Sequence, residues 1–348
     1  MGSNREARGF RRDRLSSAAP RETAGPAPAR PSRSARRTSS IDVTWPAGRL
    51  GDMLLLGRAR DILTVVSQTP PRVVAQDSFR ARLQNDRTIL AMVTDPERPA
   101  AAALVGARGG GHLRRIIDDA MPEECRNSTP LHLILDDISG TSLIAGWAWS
   151  QWTADWLTMP DAPDKEQLAA IMRSKQGVCI GFAPGSSALK VRPTPGVTGG
   201  APAPDLRNSE DPDGWHDFPM AEGASLRRAR RIDVTLGDTV RIDAAFQDSA
   251  SRPDGGRMVL HEYRLTATAD PGSLCLTSIA AEPRVLPFPE CPSATQNLRR
   301  LLDAPLMQLR ERVLDQLRGT DGCTHLNDAL RALTAVPALL DILRRGLG

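Results

Sequence analysis

Lysine, aromatic residues and long apolar runs are scarce in this sequence. Only three of its 45 basic residues are Lys, so Arg carries nearly all the positive charge, as in proteins encoded by GC-rich bacterial genomes. No run reaches the roughly 18 consecutive apolar residues that a membrane-spanning helix needs. The N-terminal residues contain no apolar segment of the kind found in secretory signals, so we do not expect such a signal there. The five Cys, odd in number, then fit free thiols or metal ligands in a reducing cytoplasm better than a disulfide framework.

The composition is otherwise that of a soluble globular protein. Of the 348 residues, 40% are hydrophobic and 25% are charged, which is close to the average for folded domains. At about 150 residues per domain, the length predicts two domains, each large enough to bury a core.

The positive charge is concentrated near the N-terminus. Residues 1–40 contain ten Arg and three acidic residues, a charge of +7, so the rest of the chain carries −3 of the formal net charge of +4. The segment is also rich in Pro, Ser, Ala and Gly and lacks apolar periodicity, a composition typical of disorder. We therefore predict that residues 1–40 form a disordered basic arm that contacts acidic surfaces.

A stretch rich in Pro and Gly divides the remainder of the chain. It runs over residues 184–223 and predicts a linker between an N-terminal domain, 41–183, and a C-terminal domain, 224–348. In each domain, strands with period-two alternation precede patterns typical of amphipathic helices. This order predicts an α+β fold in which helices cover one face of an antiparallel sheet.

Short matches in the same order suggest that the two domains are copies of one fold. They pair residues 41–44 with 232–235, 87–96 with 263–271, 113–118 with 298–303, and 129–133 with 322–326. The offsets differ, as expected after loop insertions. We predict a tandem duplication of one small α+β domain.

The C-terminal domain concentrates the residue types that bind metals. His261 begins a His-Glu-Tyr segment on a predicted strand, and Cys291 precedes a predicted helix. Cys323 and His325 precede another helix. Two Cys and two His at one end of a helical layer match the tetrahedral coordination of Zn²⁺. We therefore predict His261, Cys291, Cys323 and His325 as metal ligands.

The same segment supports two alternatives. A thiolate at a helix N-terminus is stabilised by the helix dipole, which makes Cys323 a candidate nucleophile, and Glu262 is a candidate base. The second alternative is that these cysteines simply pack in the core, as we expect for Cys179.

The N-terminal domain lacks this set of residues. Only His132 lies opposite His325 in the matched segments, so we predict that the first copy is degenerate. Four of the six Trp recur at nearly helical spacing, at positions 147, 149, 152 and 156. We expect these Trp to pack on a sheet or on the other copy, with a ligand pocket or a partner surface as the alternative.

The motifs around the cysteines resemble a known family. His-Glu-Tyr at 261–263, Phe-Pro-Glu-Cys-Pro at 288–292 and Gly-Cys-Thr-His-Leu at 322–326 are similar to the bacterial family called domain of unknown function 2889. The resemblance extends upstream through Arg-Arg-Ile-Asp-Val-Thr. It implies membership but no activity.

A second resemblance is to NifU-type iron–sulfur scaffold proteins. The order His261, strand, Cys291, helices, then Cys323 and His325 at the start of a helix is similar to theirs. It implies a NifU/SufE-like fold and a metal or sulfur-handling role. His261 stands where those proteins have a Cys, which favours Zn²⁺ over iron or an Fe–S cluster.

The sequence thus leads to three hypotheses. The first is a metal-binding domain with a structural or scaffold role. The second is an enzyme that uses a metal-bound water or the Cys323 thiolate. The third is an interaction module that uses the Trp cluster and the basic arm. No recognition helix or zinc-finger spacing supports specific binding of nucleic acid.

Overall fold

Nine strands form one antiparallel sheet in the computed structural model, which describes residues 22–67, 70–153, 164–190 and 200–347. The strands are β1 (Ser34–Thr44), β2 (Met53–Thr64), β3 (Arg72–Leu83), β4 (Ile89–Asp95), β5 (Ala201–Pro202), β6 (Ser225–Leu236), β7 (Val240–Ser251), β8 (Arg257–Ala269) and β9 (Leu276–Val285). Their order across the sheet is β4-β3-β2-β1-β6-β7-β8, and both β5 and β9 pair with β8. The predicted combination of an antiparallel sheet with helices is confirmed.

The helices follow the strands in each half of the chain. Within the described residues they are α1 (Gly111–Ala120), α2 (Pro122–Arg126), α3 (Pro130–Ile144), α4 (Trp149–Trp152), α5 (Lys165–Lys175), α6 (Leu309–Gln316), α7 (Thr324–Arg331) and α8 (Val336–Leu347). A long 3₁₀ segment covers Cys291–Leu301. Helices α3 and α8 both contact β1 and β2, and α8 also contacts β6. The helical layer therefore spans both halves of the sheet.

The two predicted domains share this sheet. Strands β1 and β6 pair along their whole length, from Ser34 opposite Thr235 to Thr44 opposite Ser225. Ion pairs repeat across this junction, since Arg36 donates to Asp233 and Arg227 donates to Asp42. The boundary between the halves therefore lies inside one hydrogen-bonded sheet.

Two of the four sequence matches fall on elements that occupy equivalent places in the two halves. Residues 41–44 and 232–235 lie in β1 and β6, and residues 129–133 and 322–326 lie at the starts of α3 and α7. The third match does not fall on equivalent elements, because residues 113–118 lie in α1, after a 3₁₀ turn at Pro99–Leu104, whereas residues 298–303 cover the end of the first helical segment after β9. The fourth match is wrong, because 87–96 contains β4 whereas 263–271 belongs to β8.

The prediction of a disordered arm is wrong for residues 34–40, which belong to β1 at the centre of the sheet. Arg36 and Arg37 are each only 1% exposed. Their guanidinium groups pair with Asp233 and Asp61 at 2.5 and 2.6 Å, which satisfies charges that would otherwise prevent burial. Residues 1–21 lie outside the described part of the chain.

The linker prediction is also wrong for much of residues 200–218, which pack on the face of the sheet opposite the helices. Trp215 forms a small apolar cluster with Ala27 and Ala229. Asp211 accepts hydrogen bonds from Arg30 and lies 2.8 Å from its Nη2. Dense Pro and Gly here indicate irregular backbone, not an absence of packing. Residues 191–199 lie outside the described part of the chain.

None of the helices among the described residues combines the length and the apolar character needed to cross a bilayer.

Candidate metal site

Three side chains that bind metals in many proteins converge where the helical layer meets the second half of the sheet. Asp248 lies on β7, His261 on β8 and His325 at the start of α7. One potential ligand atom from each lies within 4.8 Å of the others. Nδ1 of His261 is 3.5 Å from Oδ2 of Asp248, and Nε2 of His325 is 3.9 Å from the same oxygen.

Strand register and a helix start bring these residues together. Arg228 on β6 lies opposite Asp248, and Asp248 lies opposite His261, so three neighbouring strands place the three side chains in a row. Helix α7 begins just above this row. Cys323 is its N-cap in an extended conformation, so His325 falls in the first turn.

Arg228 fixes the protonation state of Asp248. Its Nε and Nη2 donate to the two carboxylate oxygens at 2.8 and 3.1 Å. Burial alone would raise the pKa of Asp248, but the charge of Arg228 outweighs burial and lowers that pKa below its ordinary value. The carboxylate is therefore ionised at neutral pH.

The two imidazoles lie largely buried beside this carboxylate. Burial, reinforced by the neighbouring His261, lowers the pKa of His325 well below its ordinary value, so this ring is neutral at pH 7. Nδ1 of His261 is buried without a hydrogen-bond partner, since 3.5 Å is too long for a good hydrogen bond to Asp248. A buried nitrogen without a hydrogen-bond partner destabilises the folded protein, and a ligand bound to that nitrogen would remove this destabilisation.

Aromatic side chains enclose the histidine pair. The rings of His261 and His325 stack with centroids 3.5 Å apart and an angle of 15° between their planes. Trp147 lies 5.4 Å from His261, and Phe246 lies 6.2 Å from His325. A metal lies in the plane of each imidazole that binds it, so the stacked rings must turn apart before both can bind one ion.

The charges next to this pair are balanced without a metal. Asp248 is one end of a connected network of five Arg and five Asp, formed by Arg114, Arg228, Arg230, Arg310, Arg331, Asp118, Asp136, Asp137, Asp248 and Asp328. The network joins the central strands to α1, α3, α6 and α7. The network therefore contains equal numbers of cations and anions.

The two predicted cysteine ligands lie apart from the histidines. Neither Cys291 nor Cys323 belongs to the groups of converging ligand atoms found among the described residues. Both are buried and lie near the Tyr263 side chain. Cys179, which we expected in the core, is buried beside Cys291, since both sulfurs lie close to Gly181.

The prediction of a Cys323 thiolate is contradicted by its surroundings. Backbone N–H groups at the start of α7 favour the anion, but burial dominates and raises the pKa of Cys323 to about 11. Burial also raises the pKa of Cys291. Both are neutral thiols at pH 7 and therefore poor nucleophiles.

We expect only Cys125 and Cys275 to react with a thiol reagent in the folded protein. These two are partly exposed, whereas Cys179, Cys291 and Cys323 are buried. Titration with Ellman's reagent should give no more than two thiols under native conditions and five in guanidinium chloride. Rapid native labelling of Cys323, identified by mass spectrometry, would contradict this burial.

Glu262 is not placed to serve the histidine pair as a base or outer-shell group. Successive side chains of a strand point to opposite faces of the sheet, and Glu262 lies on the face away from the helices. Its carboxylate accepts hydrogen bonds from the backbone N–H of Ala24 and from Nε2 of Gln247, at 3.1 and 3.2 Å.

A second group of possible ligands already holds a guanidinium. Asp118, Cys125 and His132 converge in the first half, but Nη1 of Arg310 lies 2.7 Å from Nε2 of His132 and 3.3 Å from Oδ1 of Asp118. Oδ1 of Asp118 lies 3.2 Å from the same nitrogen, so Nε2 of His132 either accepts from Arg310 or donates to Asp118. With a guanidinium 2.7 Å from this nitrogen, a metal ion there would have to displace Arg310.

The first half also lacks an equivalent of His261. Arg37 and Asp61 pair across β1 and β2 as Arg228 and Asp248 pair across β6 and β7. The residue opposite Asp61 on β3 is Ala75, where the second half has His261. Only the second half therefore carries the complete triad.

The Trp cluster packs against the second half of the chain. Trp147 lies next to His261, and Nε1 of Trp152 donates to the backbone oxygen of Ser251 at 3.0 Å. Trp149 packs edge-on against Trp45 in the first half. Trp156 lies outside the described residues.

Sequence reasoning found both histidines but missed Asp248. The one available signal was an Asp directly after Gln247, two residues beyond the alternating segment Val240–Phe246. Its pairing with Arg228 depends on strand register, which the sequence alone did not provide.

The fold and the triad define an α+β protein with a candidate site for a metal ion bound by nitrogen and oxygen. Residues 226–338 match the model of a family described as Protein of unknown function (DUF2889), and the resemblance stated for the cysteine and histidine motifs is confirmed there. Asp248, His261 and His325 all lie in the matched segment. No curated protein and no solved structure matches the chain significantly. The likeness to NifU-type scaffold proteins therefore stays a prediction.

Proposed function

We propose that the second half of this protein binds one divalent transition-metal ion through Oδ2 of Asp248, Nδ1 of His261 and Nε2 of His325. The observation that carries the proposal is the convergence of one potential ligand atom from each residue within 4.8 Å, with Nδ1 of His261 buried and unpartnered. An ionised carboxylate and neutral imidazoles are the protonation states that ligation requires.

The distances suit a small ion. Metal–ligand bonds of about 2.0–2.2 Å in a tetrahedral arrangement place the ligand atoms about 3.3–3.6 Å from one another. The distances of 3.5 and 3.9 Å to Oδ2 of Asp248 are close to this range. A turn of one imidazole, which also breaks the ring stacking, is the movement needed to complete the geometry.

The donor set favours Zn²⁺ or Fe²⁺ over an iron–sulfur cluster. Imidazole suits both ions, and clusters require thiolates. Cys291 and Cys323 remain neutral thiols in their own cluster with Tyr263, so they do not supply that chemistry. The revised ligand set therefore keeps His261 and His325 and replaces the two cysteines by Asp248.

Two features indicate an exchangeable ion instead of a permanent structural one. Structural zinc sites fill all four positions with protein ligands, whereas this triad supplies three. Arg228 also shares the carboxylate, which weakens its attraction for a cation. The open position favours metal-dependent catalysis as the second candidate function, without Glu262 as its base.

The metal proposal is tested by titrating the metal-stripped protein with Zn²⁺ in a calorimeter. We expect one ion per chain for the natural protein and at least tenfold weaker binding for His325→Gln and His261→Gln, because each substitution removes one of three ligands. Cys291→Ser and Cys323→Ser should bind as the natural protein does.

His132→Gln is the matched control for these variants. His132 is also a buried histidine at the start of a helix, but its Nε2 is occupied by Arg310. Zinc affinity should therefore be unchanged in this variant. If His325→Gln and His132→Gln bound zinc equally well, the site would not be at Asp248, His261 and His325.

We also propose that the two halves arose by tandem duplication. Support comes from the repeated order of four strands followed by helices, and from the reciprocal pairs of Arg36 with Asp233 and Arg227 with Asp42. In this proposal the first copy lost metal binding, since Ala75 stands opposite Asp61. Binding of acidic surfaces by the basic arm now concerns residues 1–21 alone.

A further inference from the structure

The carboxylate of the proposed metal site is shared with a buried guanidinium. Nε of Arg228 donates to Oδ1 of Asp248, and Nη2 donates to Oδ2, the oxygen proposed to bind the ion. A metal ion at Oδ2 therefore competes with Nη2 of Arg228, while Nε still holds Oδ1 and orients the carboxylate. The position of this guanidinium decides how much of the negative charge of Asp248 is left for the ion.

Two other carboxylates attract the same guanidinium away from Asp248. Nη1 of Arg228 lies 2.9 Å from Oδ2 of Asp328 and 3.6 Å from Oδ1 of Asp137. All of these side chains are buried, and charges interact more strongly in the protein interior than in water. A change in the charge around Asp328 or Asp137 therefore changes how strongly Arg228 is held by Asp248.

Both of these carboxylates are linked to the first half of the chain. Asp137 itself lies on α3, a helix of the first half. Asp328 lies on α7 in the second half, but it is 3.1 Å from Nη2 of Arg114, which lies on α1 in the first half. Nε of Arg114 in turn lies 3.1 Å from Oδ1 of Asp136 on α3. The first half therefore places both a carboxylate and a guanidinium beside the ion pairs that hold Asp248.

We infer, on the basis of the proposed function, that the first half sets the metal affinity of the second half. Asp137 and Arg114 are then positioning residues that act on Asp248 through Arg228. Asp137 draws Arg228 away from Asp248 and so strengthens the attraction of Asp248 for a cation. Arg114 neutralises part of the charge of Asp328, which leaves Arg228 closer to Asp248 and weakens that attraction. The half without the complete triad thus keeps a role in binding the ion.

The two members of one ion pair in the first half are expected to have opposite effects on zinc binding. Arg114→Gln removes a positive charge from the network, so Zn²⁺ should bind at least about threefold more tightly than to the natural protein. Asp136→Asn leaves Arg114 to pair more closely with Asp328. Arg228 then returns to Asp248, so Zn²⁺ should bind at least about threefold more weakly.

The opposite signs separate an effect of charge from a structural one. Lost packing or a distorted site would weaken binding in both variants. Calorimetric titration of the metal-stripped full chain with Zn²⁺ measures the two affinities. The visible bands of the Co²⁺-substituted variants should keep the positions that they have in the natural protein, because the three ligands are the same. Unfolding in the presence of a chelator should show that Arg114→Gln is less stable than the natural protein, although it binds zinc more tightly.

Arg98→Gln is the matched control for the loss of a positive charge. Arg98 also lies in the first half and pairs with two carboxylates, those of Glu124 at 2.6 Å and Asp77 at 3.5 Å. It does not belong to the network of five Arg and five Asp, so its substitution should leave zinc affinity unchanged. Asp137→Asn provides a second expected loss of affinity should Asp136→Asn fail to fold.

Two results would overturn the inference while leaving the metal site intact. They are zinc affinities of Arg114→Gln and Asp136→Asn that shift in the same direction, and affinities of both that equal the affinity of the natural protein. In either case the natural protein still binds zinc and His325→Gln still weakens the binding. A natural protein that binds no zinc would instead contradict the proposed function itself, and the inference with it.

Discussion

Replacing Arg228 by Met should lower the free energy of unfolding by about 3–5 kcal/mol, since it removes one partner of a buried ion-pair network. Arg228 is only 1% exposed. Its guanidinium nitrogens lie 2.8 and 2.9 Å from carboxylate oxygens of Asp248 and Asp328, and 3.6 Å from one of Asp137. Met fills similar volume but leaves three carboxylates with less positive charge around them. Guanidinium unfolding followed by circular dichroism, in the presence of a chelator, measures this loss without a contribution from metal.

Arg318→Met is the matched control for that loss of charge. Arg318 pairs with Asp315 at 3.2 Å, but both side chains are more than two-thirds exposed. Exposed pairs contribute about 0–1 kcal/mol, so this variant should be nearly as stable as the natural protein. Equal stabilities of Arg228→Met and Arg318→Met would show that the buried network does not hold the two halves together.

Replacing Gly140 by Ala should destabilise the protein by about 1–3 kcal/mol, although Ala is the better helix former. Gly140 lies in α3, and a methyl group added there would overlap Nη1 of Arg228 and Oδ2 of Asp328. Both atoms are ends of side chains, but their shared ion pair leaves little room to move. Only Gly lets α3 approach this pair.

Gly111→Ala distinguishes packing from helix propensity. Gly111 begins α1, and a methyl group there meets nothing within 4 Å. The free energy of unfolding of the Gly111→Ala variant should stay unchanged or rise by less than about 1 kcal/mol. The opposite signs expected for the two Gly-to-Ala changes are measurable in the same unfolding experiment. A stabilising Gly140→Ala would mean that α3 does not press on the ion pair.

Local patterns predicted the layers of the fold but not its centre. Period-two alternation and the following helical patterns gave an antiparallel sheet with helices, as the structure has it. Residues 34–40, the first part of the central strand β1, were predicted to belong to a disordered arm because they share its Arg, Ser and Ala. Its burial depends on Asp61 and Asp233, which are 24 and 197 residues from their Arg partners. No local composition reveals such distant partners.

The candidate site was predictable only in part for a similar reason. His261 and His325 stood out as rare residues in a recognisable motif, and the structure stacks their rings. The cysteines stood out equally, but burial raises the pKa of Cys323 to about 11, and this cannot be judged before the core is known. Asp248 joins the histidines only through the register of β6, β7 and β8.

The absorption spectrum of the Co²⁺-substituted protein tests the ligand set most directly. Cobalt takes the place of zinc, and a bound thiolate adds an intense sulfur-to-cobalt charge-transfer band in the near ultraviolet. With Asp248, His261 and His325 as ligands, we predict visible d–d bands without that charge-transfer band, and their loss in His325→Gln. A charge-transfer band that disappears in Cys323→Ser would contradict this account and return the cysteines to the metal site.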